Sequence, residues 1–100
     1  MTKLTNFKAF LQYEQLPDDL SVQLKSLWYD GNGDWHRAHA EVDKLNDMAS
    51  AWVHAYLHRK EGDIWNADYW YGKAGKRRPA VSLAEEWEQL VNHFLEATTL

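Results

Sequence analysis

HAYLHRKEGDIWNADYWYGKAG, residues 54–75, holds two histidines four apart, then Arg59, Glu61 and Asp63, then Trp65, Tyr69, Trp70 and Tyr71. Either one helix carries an acid–base or metal set here, or two helices meet at Gly62 and mainly pack. The spacing favours the hairpin. Glycine supplies the left-handed conformation that ends a helix, and Asp63 suits the positive N-terminal end of the next one. Ala67, Trp70 and Tyr71 then fall at i, i+3 and i+4, one inner face.

A second copy lies upstream. GDWHRAHAEVDKL from Gly33 and GDIWNADYWYGKA from Gly62 share Gly-Asp, a bulky apolar residue (Trp35 and Ile64) and an alanine (Ala38 and Ala67). The offset of 29 residues is in the range of helical-repeat architecture. The small alanine lets one helix pack closely on the next.

Outward from these copies the pattern stays helical. Leu4, Phe7, Phe10 and Leu11 form a short amphipathic segment ending near Pro17, because proline disfavours helix in the residue before it. Leu20, Leu24, Leu27 and Trp28 line one face of the next helix, which stops at DGNG. A third runs from about Asp34 to Leu45, with Trp35, Ala38, Val42 and Leu45 inward, and Asn46-Asp47 can cap a fourth from about Met48 to Lys60. The fifth reaches Ala74. Ser82 and Glu85 form a capping box for the last, whose stripe is Leu83, Trp87, Leu90, Val91, Phe94 and Leu95. The expectation is an all-α fold of about six short helices in one domain, residues 1–100.

Composition excludes several classes. With no cysteine among 100 residues, a disulfide framework and a thiolate metal site are both impossible. No run approaches the ~18 apolar residues of a membrane span, and charges interrupt the N-terminus where a signal peptide would be apolar. A cytoplasmic protein without membrane contact is expected. The net charge of −4 disfavours nucleic acid as the partner. P-loop and GxSxG motifs are absent.

Gly62, Ala67, Tyr71, Ala74 and Pro79, in that order, resemble the second half of a tetratricopeptide repeat (TPR), and Tyr29, Gly33, Trp35 and Ala38 resemble it more weakly. Where that family prefers tryptophan, leucine, glycine and tyrosine, this chain has Ala51, His54, Ala55 and His58. The stretch AYLHRKEGDxxNAxYWYxxAG is also similar to one in small bacterial proteins, a likeness that spans most of the chain and implies no activity. The TPR resemblance implies stacked hairpins over roughly 18–79, closed by an amphipathic helix over roughly 82–97. It also implies a role in protein interaction.

Candidate site residues fall into two groups. His36 and His39 lie three apart, and His54 and His58 four apart, spacings that put two imidazoles on one helix face. HAYLH lacks the glutamate of the zincin motif, which would stand at Ala55. On a helical wheel His54 and His58 share a polar arc with Ser50 and Glu61, so a solvated or hydrogen-bonded stripe is expected. The TPR alignment instead puts both at packing positions. No metal, cofactor or catalytic set is assigned; the alternative is a metal binder or minimal enzyme built on His36, His39, His54, His58 and Glu61. The second group is Trp65 and Tyr69, off the inner face of their helix, with Arg59 and the basic cluster Lys76, Arg77 and Arg78. These are expected to form one surface for a protein or peptide partner. Trp70 and Tyr71 are expected in the core.

Overall fold

A computed structural model describes residues 7–9 and 20–97, and every regular element among them is helical. The helices are α1 (Val22–Gly31), α2 (Trp35–Val42), α3 (Met48–Glu61), α4 (Ile64–Lys73) and α5 (Leu83–Ala97). Residues 7–9 are helical as well. The fold class is all-α. Of the first expected helix only these three residues fall within the described ones. The third ends at Val42, three residues short of Leu45, because residues 43 and 44 turn.

Local chemistry explains where each helix starts. Ser21, Asp34, Asp47, Asp63 and Ser82 precede the five helices, and each side chain accepts from the backbone N–H three residues on: Leu24, Arg37, Ser50, Asn66 and Glu85. Such a cap satisfies one of the donors a helix start leaves open, and is worth about 1 kcal/mol. The two sequence copies also close alike. Gly33 has φ 80° and Gly62 φ 88°. After each glycine the aspartate N–H reaches back five residues, to Tyr29 O and His58 O, at 2.9 Å in both. This is a Schellman closure, which needs the left-handed residue that glycine provides.

The copies build two hairpins. α1 pairs with α2 and α3 with α4, while α5 lies against α1 and α3. Ala38 and Ala67 are fully buried where the paired helices meet. The main core joins Leu24, Leu27 and Trp28 of α1, Val53, Tyr56 and Leu57 of α3, and Trp87, Leu90, Val91 and Phe94 of α5. Burying each such side chain contributes roughly 1.5–3 kcal/mol, so this layer dominates the stability. Phe7 packs on Trp87 and Lys8 pairs with Glu88, which holds the N-terminal turn on α5.

α3 is the central helix. From Ser50 to His58 every residue but the half-buried Trp52 is buried. His54 and His58 are therefore hydrogen-bonded but not solvated: α1, α2, α4 and α5 all pack on α3 and leave only Trp52 of its middle turns partly open to water. Both histidines are packed in the interior.

Candidate functional site

Three imidazoles converge between α2 and α3. His39 lies one turn after Trp35 and stacks on it, ring centroids 4.8 Å apart and planes within 11°. Trp35 is itself fixed, since its Nε1 donates to Leu57 O at 2.8 Å. On α3 the i, i+4 spacing sets His54 above His58, centroids 4.8 Å apart, and both are buried, at 4% and 8% exposure. Trp70 of α4 covers the other side, stacked on His54 at 4.0 Å. The histidines are thus enclosed between two indoles. Trp70, expected in the core, is only half-buried, because it roofs the imidazoles while Ala67 and Tyr71 take the inner face.

The polar contacts have a definite order. Nε2 of His39 and Nε2 of His54 are 3.0 Å apart, so one donates to the other. Nδ1 of His58 meets Oε2 of Glu61 at 2.6 Å, and Nδ1 of His39 faces Asp43 at 3.9 Å. Nδ1 of His54 is buried without a hydrogen-bond partner among the described residues. Burial pushes the His54 pKa down to about 4, with His39 and His58 adding to the effect. His39 is lowered too, by burial first and His58 second. Desolvation disfavours the imidazolium, and neighbouring imidazoles oppose a second positive charge.

One ligand atom from each of His39, His54 and His58 lies within 4.8 Å of the other two. His58, Glu61 and Asp63 make another such group, but Asp63 is already engaged by the backbone and side-chain nitrogens of Asn66. His36 stands apart, exposed, with its ring edge-on to Trp35. Four of the five residues in the histidine set are therefore brought together, and His36 is not.

The aromatic group divides differently. Trp65 and Tyr69 are 77% and 49% exposed, on the outer face of α4 with nearly parallel rings. Arg59 does not join them. It turns inward, donating to the Val81 carbonyl and, at 2.8 Å, to Oε1 of Glu86. Glu86 is 1% exposed, and an unpaired carboxylate there would be strongly destabilising; Arg59 is consumed by that need. Lys76, Arg77 and Arg78 are exposed. Lys76 sits over the Trp52 ring at 4.1 Å, and Arg78 pairs with Asp68 at 3.1 Å. Together with Tyr71, Gly72 and Pro79 the cluster lines an open cavity of about 620 Å³.

Sequence reasoning placed Glu61 with His54 and His58 but missed the other partners that fix these groups. Asp43 and Glu61 stand at i+4 and i+3 from their histidines, a spacing visible in the sequence. Glu86 lies three after Leu83 and four before Leu90, on the apolar stripe of α5, which marks it as inward. The tryptophan walls depend on how α2 and α4 meet α3. No local pattern shows them.

No protein-family model matches the chain, and no curated protein or solved structure matches it.

Proposed function

We propose that the chain is a cytoplasmic, non-catalytic interaction module of TPR-like build, taking a protein or peptide on the outer face of α4. The observation that carries this reading is the exposure of Trp65 and Tyr69 as a parallel pair on a well-anchored helix. Lys73 extends over the rings of Tyr69 and Trp70, at 5.3 and 5.0 Å, so the face is aromatic with a cationic border. Tryptophan and tyrosine are the side chains in which interface energy concentrates. The exposed Lys76–Arg78 cluster that follows α4 favours an acidic partner by steering. The overall charge of −4 favours protein over nucleic acid. The TPR-like part of the reading is supported by the matched closures at Gly33 and Gly62 and by the pairing of α1 with α2 and α3 with α4. Among the described residues no helix is long and apolar enough to cross a membrane.

The test compares proteins captured from the native cytoplasm by the parent chain and by Trp65→Ala and Tyr69→Ala variants of equal melting temperature. A partner held by the parent and lost by both variants is the expected result. An identical captured set would overturn the reading.

A further inference from the structure

We propose that His39, His54 and His58 bind one first-row divalent transition-metal ion, with zinc the first choice. This site is distinct from the outer face of α4, and it departs from the sequence-based expectation of no metal.

The geometry is close to what an ion requires. Tetrahedral ligation at about 2.0–2.1 Å places ligand nitrogens about 3.3 Å apart. The His39 and His54 nitrogens are already 3.0 Å apart, and all three ligand atoms fall within 4.8 Å. The ligands stand on two packed helices, α2 and α3, with Trp35 and Trp70 stacked against the rings. The His39 side chain is 25% exposed, which leaves a route for an ion from solvent. Three imidazoles without thiolate suit zinc, copper or nickel; calcium and magnesium demand oxygen-rich sets.

Surrounding contacts point the same way. In zinc sites a ligating histidine commonly gives its other nitrogen to a carboxylate, which fixes the ring. Glu61 does this for His58 and Asp43 faces the same nitrogen of His39. His54 differs: with Nε2 as its ligand atom, its buried Nδ1 lies on the other side of the ring and has no hydrogen-bond partner among the described residues, so Trp70 stacking rather than a carboxylate holds that ring. Three protein ligands also leave a fourth position for water or a small ligand.

The experiment uses the full chain stripped with a chelator, then titrated with Zn²⁺ by calorimetry and thermal melting, and with Co²⁺ by visible absorption. Expected are one ion per chain, a saturable rise in melting temperature, and the intense visible bands of near-tetrahedral cobalt. His39→Gln and His58→Gln should abolish all three signals. Glu61→Gln should weaken binding by about 10- to 100-fold, as loss of an orienting carboxylate does. His36→Gln, and His93→Gln on the exposed side of α5 against Trp52, should bind like the parent. His39→Gln decides the matter even where His58→Gln fails to fold, because His39 is only partly buried. Absence of saturable binding, unchanged binding by folded His39→Gln, or equal loss in His36→Gln would each overturn the proposal.

Discussion

The Tyr71 hydroxyl lies 2.6 Å from Oε2 of Glu86 and 2.8 Å from Oε1, tying α4 to a carboxylate buried on α5. Burial and this bond push the Tyr71 pKa up, so the phenol stays a donor throughout the working pH range. A matching arrangement joins α1 to α3, where Tyr56 and Lys60 bond Asp30 at 2.6 and 2.9 Å. Tyr71→Phe should cost about 1–3 kcal/mol, the penalty for a buried acceptor that loses a partner. Glu86→Ala should cost more, about 3–5 kcal/mol, because it strands Arg59. Urea unfolding of the two variants checks the order, and a Tyr71→Phe protein as stable as the parent would refute it.

The glycines separate by backbone. Gly62 has φ 88°, with open space where a Cβ would stand. Gly62→Ala should therefore be destabilised by about 1 kcal/mol or more through backbone strain alone. Gly72 lies within α4 and also has room for a Cβ, so Gly72→Ala should gain roughly 0.5–1 kcal/mol. Opposite signs in thermal melting are the expected outcome.

Acid should weaken the metal-free protein in a particular window. The folded-state pKa of His54, about 4, lies below the unfolded value, so the unfolded chain takes up the proton first. Stability is full above about pH 6.5 and falls as pH drops toward 4, by on the order of 2 kcal/mol. The Asp47 carboxylate, held below its usual range chiefly by the Ser50 N–H, keeps its contribution until the pH is lower still. Denaturant titrations in chelator at pH 7 and pH 4.5 test this; equal stability at both would contradict it.

Two substitutions on α4 should differ sharply. Trp65→Ala removes an exposed ring and should change stability by less than about 0.5 kcal/mol. Ala67→Leu forces bulk into the fully buried contact with α3 and should cost about 1–3 kcal/mol. Similar melting temperatures for the two would mean that the inner and outer faces of α4 are misassigned.

The helices were legible because their signals are local. Ser21, Asp34, Asp47, Asp63 and Ser82 stand next to the positions they cap, and Gly62 ends the helix that it follows. The stripe of α5 was legible for the same reason, having one buried side. α3 was not, because a wheel separates polar from apolar residues only when one face meets water, and here packing encloses it. The inward turn of Arg59 and the burial of His54 and His58 were not legible, because Glu86, Trp35 and Trp70, which hold them, come from other helices. Trp65 and Tyr69 were placed outward correctly, since their own helix decides that.

Trp70 against His54, centroids 4.0 Å apart, has an optical consequence. An indole in contact with an imidazole loses emission when that ring gains a proton, and its fluorescence also shifts when the ring is captured by another charge. The roof of the histidine cluster is thus a native fluorophore, and a Trp70→Phe difference spectrum isolates its signal from the other five tryptophans. The state of a buried ring can be followed by light, without a label and before the chain unfolds.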